Sequence, residues 1–110
     1  AEPYAQGAIM PDAFLADSTE PTVARFVSAF EQTYQGRPGS IEAMAYDTAR
    51  ILSDVLILPG VRFRSDVAAA LHTSEGFPGA TGYTRFLPNG DCDKELRILE
   101  LRGKRFVELR

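Results

Sequence analysis

The chain is poor in the residues on which enzymes and metal sites most often depend. Its 110 residues include one cysteine, Cys92, and one histidine, His72. A single cysteine excludes an internal disulfide and any metal site built on two cysteines, and we expect Cys92 to be an ordinary strand residue. His72 falls near the end of a predicted helix, where a cation interacts well with the helix dipole, so a surface role is expected. No serine stands in a Gly-x-Ser-x-Gly context, and an enzyme is not expected.

Excess positive charge and long apolar runs are also lacking. Twelve Lys and Arg stand against fifteen Asp and Glu, which argues against a nucleic-acid partner. No apolar run approaches the roughly twenty residues of a membrane span, and the start of the chain lacks a signal-peptide layout. The sequence as given is therefore expected to be soluble. The basic residues concentrate after position 60, and we interpret them as a solvated strand surface.

The first half of the chain predicts one strand and two helices. Residues 7–10 form a short apolar run that predicts a buried strand. A helix is expected to begin near Pro21, because proline suits the first helical turn, and to end near Gly36. Ser40 is a plausible cap for a second helix that ends before Pro59. The expected apolar positions are Val23, Phe26, Val27, Phe30 and Tyr34 in the first helix, and Ile41, Met44, Ala45, Thr48, Leu52, Val55 and Leu56 in the second.

The second half predicts a short third helix and then strands. The helix should begin after Ser65 and end near Thr73. Residues 83–87, 96–101 and 106–109 read as strands joined by turns at 88–91 and 102–104, which gives two antiparallel hairpins. Strict alternation fails within residues 96–101, and this indicates a bulge near Leu99.

Two segments could be mistaken for ligand sites. Asp91 and Asp93 are spaced like calcium ligands, but Cys92 and Lys94 interrupt the oxygen-rich run that such a loop needs, so a plain turn is favoured and no metal is expected. The glycines of residues 76–82 precede a strand rather than a helix. They are therefore interpreted as serving backbone geometry rather than phosphate binding.

The predicted architecture leaves the helices without a sheet to cover. One front strand, far from the hairpins, gives no parallel sheet, although the helical faces are apolar enough to pack on one. Residues 43–52, with Tyr46 and Asp47, and residues 76–91, with Gly79-Ala-Thr-Gly82 and Gly90-Asp91, stand in an order that resembles the C-terminal end of the type 1 periplasmic solute-binding proteins. The related penicillin-binding protein activators are similar as well.

The resemblance implies an α/β fold in which residues 1–110 are the C-terminal segment of a two-lobed protein. It has one strand, three helices and then two C-terminal antiparallel hairpins. In that family the segment crosses the hinge and packs on a sheet formed upstream, so the chain would be incomplete without its upstream part or a swapped neighbour. The parts that grip an amino acid's charged groups also lie upstream.

Ligand contacts and partners follow only from this resemblance. It places Tyr46 at the cleft between the lobes, with Phe14 as a second ligand contact, although Tyr46 reads equally well as a packing residue. Asp47 is expected to hold the helix start or to pair with an arginine. The implied function is periplasmic binding of a small polar ligand, such as an amino acid, for an ABC-type permease, in a parent protein that can be lipid-anchored. The alternative is a regulator that contacts a cell-wall synthase. No cofactor is expected.

Overall fold

Three helices and six short strands make up the computed structural model, which describes residues 4–109. The elements, in chain order, are β1 (Ile9–Asp12), α1 (Pro21–Tyr34), α2 (Ser40–Leu56), α3 (Arg64–Thr73), β2 (Phe77–Gly79), β3 (Gly82–Phe86), β4 (Cys92–Lys94), β5 (Arg97–Arg102) and β6 (Arg105–Leu109). The mixed α/β class and the three helices confirm the prediction from the sequence.

The strands form two antiparallel sheets, with orders β1-β5-β6 and β2-β3-β4. Both predicted hairpins are present, with turns at 88–91 and 102–104. The partner expected for β3 was wrong, because β3 pairs with the short strand β4 and not with β5, which pairs with β1 as well as with β6. The front strand is therefore not far from the C-terminal hairpin but lies beside it. Strands of three residues, such as β2 and β4, are too short to show a period of two in the sequence.

Two further expectations about the strands were wrong. The apolar run at the front is not buried, since Ile9 is 64% exposed and Met10 is also exposed. The predicted bulge near Leu99 is absent, because the pairing of β5 with β6 runs without interruption from Ile98 to Arg102. Arg97 and Leu99 are buried and Ile98 is exposed, so inward and outward positions alternate regularly. Hydropathy did not show this alternation, because a cation occupies an inward position and an isoleucine an outward one.

The hydrophobic core lies between α1, α2 and the turn after β2. Pro21 occupies the first turn of α1, as expected. The buried cluster consists of Phe14, Val23, Phe26, Val27, Ala43 and Ala80. Phe30 packs against this cluster from its edge, and Tyr34 at the end of α1 is exposed.

The second helix differs from its prediction at its start and on its buried face. Gly39, not Ser40, is the N-cap, and its N–H donates to Glu42 Oε2 at 2.8 Å. The buried positions are Ala43, Asp47, Ile51 and Val55. Among the seven apolar positions that the sequence predicted for this helix, only Val55 is buried. The other six are exposed: Ile41, Met44, Ala45, Thr48, Leu52 and Leu56.

The third helix has a carboxylate at its N-terminus and a histidine at its C-terminus. Asp66 accepts hydrogen bonds from the backbone N–H groups of Phe63 (2.8 Å) and Arg62 (2.9 Å). These two bonds lower the pKa of the Asp66 carboxyl. His72 lies exposed in the last turn, as predicted.

The molecule is more extended than a compact domain of its length. Its radius of gyration is 16.4 Å, whereas the size scaling of compact domains gives about 13 Å for this length. Its accessible surface is 7806 Å², against about 6,000 Å² for a compact monomer. Among residues 4–109, no helix has the length and apolar character needed to cross a bilayer.

Candidate functional site

A row of aromatic rings joins α1 and α2 and contains both predicted ligand contacts. Phe26 lies at its centre, with the ring of Phe14 5.8 Å away edge-on and that of Tyr46 4.7 Å away, measured between centroids. Phe30 and Tyr34 extend the row along α1. The structure thus brings Phe14 and Tyr46 into contact with the same ring.

Tyr46 presents only part of its ring to solvent. One side packs on Phe26, and the guanidinium of Arg50, one helical turn later, lies 5.8 Å from the ring centroid in a cation–π contact. The residue is 36% exposed. It is therefore a partly exposed packing residue.

Phe14 lies deeper than Tyr46. It is 4% exposed and belongs to the core cluster. Its backbone N–H donates to Asp12 Oδ1 at 3.2 Å, and the same carboxylate accepts a hydrogen bond from Ser40 Oγ at 2.8 Å. Asp12 therefore ties the end of β1 to the start of α2 and fixes the turn that carries Phe14.

Asp47, directly after Tyr46, forms the most extensive buried hydrogen-bond network. It neither holds the helix start nor pairs with an arginine, so that expectation was wrong. Its carboxylate accepts hydrogen bonds from the backbone N–H groups of Ala80 (2.9 Å) and Thr81 (2.8 Å) and from Thr81 Oγ1 (2.5 Å). Asp47 thereby fixes the turn between β2 and β3 to the middle of α2.

Two further residues complete this network. Lys94 Nζ donates to Thr81 Oγ1 and, at 2.7 Å, to Thr84 Oγ1. Thr81 thus accepts from the ammonium and donates to the carboxylate, which satisfies both partners. A Cβ atom on Gly79 would lie 2.4 Å from Asp47 Oδ2, so only glycine fits there. The glycine-rich segment serves backbone geometry, as predicted. The sequence analysis did not predict that the Asp47 carboxylate faces this segment.

A cavity of about 360 Å³ opens beside this network, between α2, α3, β3 and β4. Its walls are mainly apolar and include Met44, Leu52, Leu71 and Phe86, with Lys94 and Cys92 at the side of β4. Neither Tyr46 nor Phe14 lines this cavity.

A buried arginine links the sheet of β1, β5 and β6 to the segment before α1. Arg97 on β5 donates to Glu20 (2.6 Å), just before α1, and to Glu108 (3.0 Å) on β6. Its hydrogen bond to Glu20 is the main cause of a raised pKa for Arg97. The basic end of the chain is therefore only partly a solvated surface.

The Asn89-Gly90 segment is a turn rather than an ion-binding loop. Asn89 donates to Asp91 at 2.6 Å, and Asp93 pairs with Arg85 at 2.8 Å. Residues 4–109 contain no group of three or more His, Cys, Asp and Glu side chains placed to hold a metal.

No protein-family model matches the chain, and a comparison with curated proteins finds no match. Solved structures do match. A protein from Rhodospirillum rubrum described as a branched-chain amino acid ABC transporter is 31% identical, with a TM-score of 0.85 over 97% of this chain and 32% of its own. An ABC transporter substrate-binding protein from Desulfitobacterium hafniense in complex with Leu is 24% identical, with a TM-score of 0.84 over 96% of this chain and 32% of its own.

A third match is a solute-binding protein of an ABC transporter from R. palustris in complex with benzoate. It is 20% identical, with a TM-score of 0.77 over 97% of this chain and 30% of its own. The chain therefore spans about a third of the length of these proteins. Their descriptions concern binding and transport, which agrees with the expectation that the chain is not an enzyme. Residues 4–109 have the fold of a segment of the type 1 periplasmic binding proteins that serve ABC transporters, and the predicted resemblance is confirmed.

Proposed function

We propose that the chain is the C-terminal segment of an extracytoplasmic receptor that binds a small solute for ABC-type uptake. The observation that carries the proposal is the match to the Rhodospirillum rubrum protein, at 31% identity over 97% of this chain. The solved matches are described as transporter proteins, so the transport function is favoured over regulation of a cell-wall synthase. The receptor would act outside the cytoplasm, together with a membrane permease.

The proposed ligand is a small molecule with a carboxylate and an apolar part. Leucine and benzoate, which the matched proteins contain, both have this character. In such a receptor Tyr46 would cover the apolar part with its ring edge, because an aromatic ring with a polar tip suits a boundary between a ligand and solvent. Phe14 would support the Tyr46 ring indirectly, because Phe26 contacts both rings.

Replacement of Tyr46 in the intact receptor tests this assignment. Tyr46→Ala is expected to weaken solute binding roughly tenfold, which corresponds to about 1.4 kcal/mol, because the ligand loses an aromatic cover. Isothermal titration with leucine and with benzoate measures the effect. Tyr34→Ala is the matched control, since Tyr34 ends the same aromatic row and is exposed, and it should leave affinity unchanged.

Equal affinities for the wild-type protein and Tyr46→Ala would show that the cleft contact is wrongly assigned. Phe14 needs a milder change, because Phe14→Ala would empty core volume and cost about 3–5 kcal/mol of stability. Phe14→Leu keeps most of that volume. We expect it to reduce affinity less than Tyr46→Ala does.

A further inference from the structure

The turn between β3 and β4 carries the only asparagine of the sequence, and a glycine follows it directly. Asn89 and Gly90 are both exposed. Apart from Gly90 and its two chain neighbours, no heavy atom lies within 4 Å of the point where Gly90 would carry a Cβ atom. Because glycine has no side chain, its backbone nitrogen can approach the side chain before it with little hindrance. The Asn89 amide is therefore followed by an unhindered backbone nitrogen in contact with water.

We propose that Asn89 is a site of self-modification, at which the side-chain amide becomes a carboxylate through a cyclic imide. The Gly90 backbone nitrogen attacks Asn89 Cγ. An N–Cγ bond forms, the Cγ–Nδ2 bond breaks, and the amide leaves as ammonia with the proton of the attacking nitrogen. Water then opens the five-membered ring, at Cγ to give aspartate or at the backbone carbonyl carbon to give isoaspartate. Water is the only co-reactant, and nothing is oxidised or reduced.

The hydrogen bonds of the closed turn control this reaction. The Gly90 N–H donates to the Leu87 carbonyl at 2.9 Å, which engages the nitrogen that must attack. The Asn89 side chain is held by Asp91, because its Nδ2 donates to Asp91 Oδ2 at 2.6 Å and its Oδ1 accepts from the Asp91 N–H at 3.0 Å. An exposed turn opens far more often than a whole chain unfolds. The reaction therefore proceeds from the opened turn, at a rate that the Asp91 contacts limit.

The product no longer fits the closed turn. A carboxylate at position 89 has no N–H to donate, so two negative charges replace the hydrogen bond to Asp91 Oδ2. Isoaspartate also adds one atom to the main chain. This addition displaces the Leu87 N–H from the Asp91 carbonyl, to which it donates at 2.8 Å. The modification therefore opens the end of the hairpin of β3 and β4.

The far end of β4 is held separately from the turn. The Glu95 N–H donates to the Tyr83 carbonyl at 3.2 Å, and Lys94 Nζ donates to Thr84 Oγ1 at 2.7 Å. Three paired positions of β3 and β4 lie between the turn and Glu95. The loosening is therefore confined to residues 87–91.

Ageing of the purified chain tests the proposal, and the test does not depend on the proposed receptor function. Trypsin cuts after Arg85 and Lys94 and releases residues 86–94 as one peptide. After incubation at mildly alkaline pH, this peptide should gain the mass that separates an acid from an amide. It should also elute as two products, one with aspartate and one with isoaspartate.

Gln35 is the internal control, because it is exposed and is also followed by a glycine. Its side chain is one methylene longer and would have to close a six-membered ring, so it should react at least tenfold more slowly. Asn89→Gln should slow the reaction at position 89 by the same factor. Asp91→Ala removes the carboxylate that holds the Asn89 amide and should raise the rate at least twofold.

An unchanged mass of the wild-type peptide would overturn the proposal. Aspartate as the sole product would overturn it as well, because direct attack by water on the side chain gives no isoaspartate. Equal rates for Asp91→Ala and the wild type would contradict control by the turn.

Amide hydrogen exchange tests the structural consequence. In the converted protein the N–H groups of Leu87 and Gly90 should exchange at least tenfold faster than in fresh protein, whereas that of Glu95 should change less than twofold. Equal exchange at Leu87 before and after conversion would show that the turn accepts the product, which contradicts the predicted opening.

Discussion

A single carboxylate inside the core determines how α2 meets the turn before β3. Asp47 is buried, and three donors from Ala80 and Thr81 surround its two oxygens. Tyr46, the candidate ligand contact, precedes Asp47 on α2, so the same hydrogen bonds anchor the helix that carries it, while the Tyr46 ring itself packs on Phe26.

Removal of this carboxylate should be among the most damaging single changes. Asp47→Ala leaves three buried donors without a partner, and we expect the free energy of unfolding to fall by about 3 kcal/mol. Urea denaturation followed by circular dichroism measures the change. The control is Asp54→Ala, an exposed acid on the same helix, for which a change within about 0.5 kcal/mol is expected.

Gly79→Ala provides a cross-check, because its Cβ would collide with the Asp47 carboxylate. The substitution should cost less in the Asp47→Ala background than in the wild type, since the collision is then removed. Additive costs for the two substitutions would show that the carboxylate does not occupy the place described.

Among the elements, the helices and the local hairpins were predictable from the sequence, and the long-range strand pairing was not. The start of α1 followed from Pro21, which acts locally, whereas α3 begins at Arg64, slightly before the start expected after Ser65. The pairing of β1 with β5 joins residues almost ninety positions apart, and no local pattern encodes it. The buried face of α2 was misjudged because a buried Asp47 and an exposed Leu52 both contradict simple hydropathy.

The sequence predicted only part of the candidate site. Tyr46 and Phe14 were named from a family resemblance, and the structure places both around Phe26. Their roles as ligand contacts stay predictions. The network of Asp47, Thr81 and Lys94 was not predicted, because its members are separated by more than ten residues and meet only in the folded chain.

The start of α3 should respond to acid. Folding lowers the pKa of Asp66 through its hydrogen bonds from Arg62 and Phe63. Its contribution to stability is therefore complete above the usual aspartate value of about 3.9 and is lost as the pH falls through the lowered folded value. The difference in Tm between the wild type and Asp66→Asn should be largest near neutral pH and vanish in strong acid. A difference that stays constant with pH would contradict this role.

At the scale of the whole molecule, the chain is more extended than a compact domain of its length. It extends over 54 × 33 × 22 Å, and the helices and the sheet of β1, β5 and β6 are linked through Arg97 and Glu20. A compact domain would place these layers over one common core. Here the core cluster lies among the helices, and Ile41, Met44 and Leu52 on another face of α2 are exposed.

Solution scattering measures this shape directly. The monomeric chain at low concentration should give a radius of gyration near 16.4 Å. A chain that rearranged to bury the exposed apolar residues of α2 internally would give about 13 Å. Arg97→Ala should raise the measured value, because it removes the link between β5 and the segment before α1.

The strand order also decides how this segment would transmit a mechanical load. In the sheet, β5 lies between β1 and β6, and both neighbours run antiparallel to it. Ile9 lies beside Glu100, toward one end of β5, and Leu109 lies beside Ile98, toward the other. Traction on the residues before β1 and after β6 therefore pulls along the strands in opposite directions. We expect the cross-strand bonds to share this force instead of opening one after another, so that the small sheet resists stretching.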